Sequence, residues 1–302
     1  QAFDAFNESS NRPYYVEAAF YGGSFTALPE TVQQALLAPA VQEVRAGRIQ
    51  AIRLSTRPDC IERENLLRLK AAGVKLVELG AQSFADEVLL ASGRGHRAAA
   101  TVRAAGLIRE AGLALGLQLM PGLPGDTLAA MRRTLTAALA LKPDVVRLYP
   151  TIVLRDTPLA PLWQRGTFVP LALAEAVRVT AVMKLAFERS GARVIRTGMQ
   201  SSPELDAGDA VLAGPYHPAF GELVEGFIFA ALAEQLFAAA GELTGEVVLH
   251  HAPADTSKLR GQHNVNLRHW QARYPAGRLR LAADGRAQEL RLECGGQEWC
   301  GR

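Results

Sequence analysis

Five short runs carry the residue types that bind and orient polar ligands, and each follows an apolar, strand-like stretch. The first reads Tyr21-Gly22-Gly23-Ser24-Phe25-Thr26. Paired glycines let a backbone approach a ligand closely and leave main-chain polar groups free for its polar end. Taken alone, such a pair more often serves a tight turn. The second run is Arg53-Leu54-Ser55-Thr56-Arg57-Pro58-Asp59 and the third Glu78-Leu79-Gly80-Ala81-Gln82-Ser83. The fourth is Gln118-Leu119-Met120-Pro121-Gly122-Leu123-Pro124-Gly125-Asp126, and the fifth Arg147-Leu148-Tyr149-Pro150-Thr151. Any one fits a capped turn between a strand and a helix. Five in succession, with Gly, Pro, Gln or Arg at the same end of successive strands, predict a ligand cavity there.

The elements that must position these runs are readable. Strands are expected at residues 16–21, 51–55, 76–79, 115–120, 145–149 and 194–196, with segments of helical period between them. Asp59 followed by Glu62 resembles a capping box opening a helix over 61–72, closed by Gly73. Asp126 is expected to cap a helix carrying Leu128, Met131, Leu135 and Leu139 on one face, and Pro143 to follow it. The junction Ala72-Gly73-Val74 recurs as Ala111-Gly112-Leu113 and as Ser190-Gly191-Ala192, with glycines 39 and then 79 residues apart, about one and two units of a strand-helix module. Right-handed crossovers then build a parallel sheet covered by helices, with its chemistry at the carboxyl ends of the strands. Beyond residue 200 a polar, turn-rich break precedes Gly214-Pro215-Tyr216-His217-Pro218, a long apolar helix over 219–240, a strand over 247–250 and a hairpin around Asp284-Gly285. The tail 294–302 is expected to be poorly ordered. His217 and His250-His251 lack partners at metal spacing, and Trp163 and Phe168 read as core. Arg109 reads as an exposed helix arginine outside every run.

Composition narrows the classes. Over 302 residues, 49% are apolar and 21% charged, which excludes a disordered chain, a collagen-like repeat and a small disulfide scaffold. Thirty-three Lys+Arg against 30 Asp+Glu, spread through the chain, make no case for a nucleic-acid partner by charge alone. The apolar stretch 226–233 is stopped by Glu234, so no membrane partner is expected, and the first twenty residues show no secretory signal. Cys60, Cys294 and Cys300 fit reduced thiols and a cytoplasmic location better than a disulfide framework. Because the sequence opens on Gln1 rather than Met, natural sequence is expected upstream.

Taken together in order, Phe20-Tyr21-Gly22-Gly23-Ser24-Phe25-Thr26, Leu54-Ser55-Thr56-Arg57-Pro58-Asp59, Glu78-Leu79-Gly80-Ala81-Gln82-Ser83 with Gly93-Arg94-Gly95-His96, Pro121-Gly122-Leu123-Pro124-Gly125 and Leu148-Tyr149-Pro150-Thr151 resemble the radical S-adenosylmethionine enzymes. The nearest branch is similar to the Elongator catalytic subunit, with oxygen-independent coproporphyrinogen oxidases as cousins. The likeness covers residues 16 to about 198. After that the chain does not resemble the Elongator subunit's acetyltransferase domain, but looks like the extension of a bacterial group of unassigned substrate.

The resemblance implies an α/β fold: a partial (β/α)6 TIM-like barrel lacking its first strand over 1–200, with a smaller α+β extension over 201–302. It implies a 4Fe-4S cluster on a CxxxCxxC motif, and one-electron cleavage of S-adenosylmethionine to a 5′-deoxyadenosyl radical. It also implies a reducing donor such as ferredoxin or flavodoxin. No CxxxCxxC stands in this sequence. The cluster ligands are expected upstream of Gln1, since the Gly22-Gly23-Ser24 motif belongs to the second barrel strand. Carried over residue by residue, Gly22, Gly23 and Ser24 would contact the methionine amino group, and Ser55 would stand at a position where relatives often hold the ribose. Gln82 would face the ribose or methionine, Arg94 would pair with the carboxylate, and Gln118 and Tyr149 would line the ribose and adenine side. An RNA substrate follows from the Elongator likeness alone. The alternatives are a cluster-less S-adenosylmethionine-binding or scaffold protein and a coproporphyrinogen-oxidase-like enzyme.

Overall fold

The computed structural model describes residues 15–243, 245–274, 278–285 and 289–301. The chain divides into two compact units, Gln1–Thr151 with Met183–Arg196, and Ile152–Val182 with Thr197–Arg302. The path thus leaves the first unit after Thr151 and returns to it before the last crossing near residue 196, whereas the resemblance places one boundary near residue 200.

The first unit is a curled half-barrel of six parallel strands. These are β1 (Glu17–Phe20), β2 (Ala51–Thr56), β3 (Val74–Gln82), β4 (Ala114–Leu119), β5 (Val145–Leu148) and, after the two-residue β6 (Val153–Leu154) of the second unit, β7 (Arg193–Thr197), in the order β1-β2-β3-β4-β5-β7. Each strand falls within three residues of its expected bounds. Helices Glu30–Arg45, Arg63–Ala71, Ala98–Glu110, Leu128–Ala140 and Leu173–Arg189 form the crossovers. Leu54, Val77, Leu79, Leu115 and Leu117 are buried and alternate along the strands with Arg53, Ser55, Glu78, Gly116 and Gln118 of the opposite face. The three recurrent junction glycines all take the left-handed region, with φ of +94° at Gly73, +69° at Gly112 and +89° at Gly191. A side chain there would cost about 1–2 kcal/mol.

The expected helix caps form differently. Glu62 holds the N-cap position of Arg63–Ala71 without a side-chain bond, because Asp59 lies in a 3-10 turn and its carboxylate accepts from Arg57 Nε (3.0 Å) and Nη2 (2.7 Å). The helix Leu128–Ala140 is capped not by Asp126 but by Thr127, whose Oγ1 accepts from Ala130 N (3.1 Å). Asp126 instead accepts from Gly122 N (2.9 Å), tying down the loop that precedes the helix. Arg109 is engaged as well: its Nη2 donates to the carbonyls of Leu141 (2.7 Å) and Lys142, closing the end of that helix.

The second unit pairs β6 with β8 (Val211–Ala213) and holds a four-stranded sheet of β9 (Glu246–His251), β10 (Arg278–Ala283), β11 (Leu290–Cys294) and β12 (Gln297–Gly301) in the order β10-β9-β11-β12. β10 runs parallel to β9. The turn around Asp284-Gly285 is therefore not a hairpin, since β9 lies between the strands it links. The tail expected to be loose pairs instead, residue for residue, as β12 on β11. The helix Phe220–Ala240 is long and apolar enough, by length and composition, to cross a membrane. Here its Ala233, Leu236 and Phe237 join Trp270, Leu249 and Leu292 in one core, with Phe237 edge-on to Trp270 at 5.7 Å. Phe168 is buried beside Trp163 in a separate small core.

Candidate functional site

At the carboxyl ends of β1 to β4 lies a cavity of about 500 Å³ lined by Gly22, Gly23, Ser24, Ser55, Gln82, Arg94 and Gln118, seven of the eight residues singled out from the sequence. Tyr21, Arg57, Gly80 and His96 complete its wall. Tyr149 is not part of the wall. Its hydroxyl accepts from Arg147 Nη1 (3.0 Å) inside the half-barrel.

Local backbone shapes the cavity. Gly22 and Gly23 have φ of +134° and +72°, and nothing lies within 4 Å of where a Cβ would stand on either, so the backbone is bare toward the space. The β3–β4 register shifts between Leu79 and Gln82, a bulge that re-aims the strand end. Gln82 itself sits at φ +62°, a strained conformation for a side-chain-bearing residue, and its Oε1 accepts from Gln118 Nε2 (3.2 Å). The Gln82 amide fills the place a side chain at residue 80 would need, 2.8 Å from the Cβ position of Gly80. Gly80 was the missed member of this pair, since its signal is visible only when the bulge is known.

Arg94 is the electrostatic anomaly. Its Nη2 lies 3.1 Å from Met120 Sδ, a weak acceptor, while its Nε is buried without a partner. Burial pushes the guanidinium pKa down, and among the described residues no carboxylate pairs with it to oppose the shift. Desolvating a cation without compensation costs several kcal/mol. The neighbouring Arg57 is neutralised by Asp59, whose carboxyl is held below its ordinary range by that guanidinium. His96 approaches two main-chain oxygens, Arg94 O at 3.3 Å and Ala81 O at 3.4 Å.

Beneath the cavity, strand register brings together charges that look unrelated in the sequence. Ser55 pairs with Glu78 across β2 and β3, and its Oγ donates to Glu78 Oε1 (3.1 Å). Glu78 Oε2 accepts from Arg147 Nε (2.7 Å), with both side chains under 10% exposed. Gly116 on β4 makes room for Glu78, whose Cα, Cβ and Cγ would stand 3.1 Å from a Cβ there. Burial draws the Arg147 pKa down, but Tyr149 and Glu78 outweigh it and hold it above the ordinary value. Arg147 Nη2 also donates to Tyr21 Oη (2.6 Å), which accepts from Arg53 Nη2 (2.5 Å) as well.

Backbone freedom at Gly22-Gly23, a buried guanidinium without an anion and a paired Gln82–Gln118 amide fit a ligand with a carboxylate and several polar edges, such as S-adenosylmethionine. The same residues do not fit a 4Fe-4S cluster. Among the described residues no three His, Cys, Asp or Glu side chains come together to hold a metal ion, and Cys60, Cys294 and Cys300 are not joined by disulfides.

Residues 4–138 match the Radical SAM superfamily and residues 143–228 the Radical_SAM C-terminal domain. The chain is 32% identical over 150 residues to a tRNA uridine(34) acetyltransferase of Methanocaldococcus infernus, covering 49% of this chain and 28% of that protein. It is 27% identical over 186 residues to Elongator complex protein 3 of Homo sapiens, covering 55% and 34%. The chain therefore spans about a third of these relatives' length. A structure of the Methanocaldococcus infernus Elp3 with an N-terminal deletion shares the fold, with a TM-score of 0.64 and 23% identity over 74% of this chain and 56% of that one.

Proposed function

The chain belongs to the radical S-adenosylmethionine superfamily, in its Elongator-like branch, and from that premise we propose that the cavity at the carboxyl ends of β1 to β4 binds S-adenosylmethionine. The observation that carries this reading is Arg94, a buried cation with an unpartnered Nε and no carboxylate partner among the described residues. A ligand carboxylate supplies the missing anion through a charge-assisted, forked pair. The bare Gly22-Gly23 backbone and Ser24 receive the amino end. Gln82 and Gln118 each keep one amide atom free beyond their mutual bond, one donor group and one acceptor, suited to ribose hydroxyls.

The activity proposed for the complete enzyme is one-electron cleavage of the sulfonium bond followed by hydrogen abstraction from a substrate, the chemistry a 4Fe-4S cluster supplies when bound. The residues described here bind and orient S-adenosylmethionine. A cytoplasmic setting, a ferredoxin or flavodoxin donor and an RNA substrate complete the proposal, the last resting on the relatives' names.

Calorimetric titration of the chain with S-adenosylmethionine tests the binding step. A charge-assisted pair of ~1.5–3 kcal/mol predicts that Arg94→Ala weakens binding roughly ten- to over a hundredfold. Arg132→Ala, on the exposed side of Leu128–Ala140, leaves binding unchanged. Equal affinity for wild type and both variants overturns the assignment.

A further inference from the structure

The Arg53–Tyr21–Arg147 cluster has more hydrogen-bond donors than its own acceptors can take up. A phenolic oxygen accepts about two hydrogen bonds, and Tyr21 Oη already accepts from Arg53 Nη2 (2.5 Å) and Arg147 Nη2 (2.6 Å). Its remaining polar capacity is the O–H donor. Tyr21 is 59% exposed and lines the cavity, so the cluster meets the cavity through Tyr21. Arg147 is balanced by Glu78. Arg53 is not balanced in the same way: its Nε is buried without a partner, and its carboxylate neighbour among the described residues, Glu17, lies 3.8 Å from Nη1, beyond hydrogen-bond distance. Two guanidiniums meeting at one phenolic oxygen also repel each other, which an anion between them would relieve. A purely structural reading is available, because both guanidiniums stack on the Tyr21 ring, at 4.9 Å for Arg147 and 5.7 Å for Arg53. Stacking alone does not account for the buried, unused Arg53 Nε or for a set of spare groups that are all donors.

We propose that Arg53, Tyr21 and Arg147 form an oxyanion subsite for the substrate, separate from the Arg94 end of the cavity, so that the substrate carries a carboxylate or a phosphate. The subsite rests on the S-adenosylmethionine reading only for being the substrate's rather than the cofactor's.

The test uses the chain labelled with ¹⁵N at arginine side chains, titrated at constant ionic strength with inorganic phosphate, acetate or chloride. Phosphate or acetate shifts the Arg53 Nε–H resonance saturably, and chloride does not; the tighter of the two identifies the substrate's group. Arg53→Lys, which keeps the charge but loses the fork, weakens anion binding roughly three- to tenfold, and Tyr21→Phe weakens it by a similar factor, both read on the Arg147 Nε–H resonance. Arg53→Met removes anion binding while S-adenosylmethionine affinity stays within about twofold; Arg94→Ala does the reverse. If neither phosphate nor acetate shifts the resonance, or if Arg53→Lys and Tyr21→Phe bind as wild type does, the subsite is refuted whatever the cofactor does. If anions bind as described but S-adenosylmethionine does not, the cofactor reading falls and the anion site stands.

Discussion

Replacing Arg147 with Met leaves Glu78 as a buried carboxylate with only the Ser55 hydroxyl for support. At an effective dielectric of 20, unit charges 2.7 Å apart attract by about 6 kcal/mol. Desolvation of two side chains 9% and 3% exposed offsets much of that attraction. The net value of the pair is therefore small, while the cost of breaking it is large, about 3–5 kcal/mol for Arg147→Met. Glu78→Gln, which strands the guanidinium beside two tyrosines, is expected to cost slightly less because Tyr21 and Tyr149 still accept from it. The double variant should recover to within about 1–2 kcal/mol of wild type, giving a strongly non-additive double-mutant cycle. Urea denaturation measures this, followed by far-UV circular dichroism. Tryptophan fluorescence would not report it, since Trp163, Trp270 and Trp299 all lie in the other unit. At an m-value of ~3 kcal/mol/M, a loss of ~4 kcal/mol moves the midpoint by about 1.3 M. Single-variant losses below about 1 kcal/mol that simply add would refute a desolvated pair.

Three further outcomes are expected. Burial pushes the Asp126 carboxyl up to about 6 from an ordinary 3.8, so the folded state binds more protons between those values and stability falls as pH rises from about 4 to 6. Discounted for its partial exposure the effect is about 1 kcal/mol, and Asp126→Asn should flatten the urea midpoint across that range; an unchanged pH profile in the variant argues against it. Gly116→Ala brings a Cβ to 3.1 Å from three atoms of Glu78 and should cost about 1–3 kcal/mol in thermal unfolding, with a neutral result showing that the strands separate freely. Arg109→Ala should cost about 1 kcal/mol by freeing the carbonyls of Leu141 and Lys142, read as faster amide exchange at the end of Leu128–Ala140, and unaltered exchange there would refute the capping role.

The barrel was legible because its signals are local. Apolar runs and the recurrent junction glycines locate the strands to within a few residues, and the strand ends with the segments that follow them supply seven of the eight residues named for the cavity. What escaped depends on competition between near neighbours or on partners distant in sequence. Asp59 and Asp126 have the right type and spacing to cap helices, yet Arg57 and Gly122 N engage them first. Arg53, Glu78 and Arg147 each open one of the five runs, but nothing in the sequence joins them until register pairs Glu78 with Arg147 and sets both arginines on Tyr21, 126 positions from Arg147. The expected hairpin at Asp284-Gly285 failed for the same reason: turn residues show that the chain reverses, not which strand it pairs with.

The placement of β9 between β10 and β11 has a consequence for biosynthesis. Both neighbours are translated later, and 43 positions separate His251 from Cys294, where β11 ends. At ~5–20 residues per second, roughly 2–9 s pass before both edges of β9 can be paired. During that interval Val247, Val248 and Leu249 stand as an open apolar template behind the apolar helix Phe220–Ala240. The second unit is thus expected to require the nascent chain to be shielded until its end emerges, and a chain stopped before Leu290 should aggregate rather than fold.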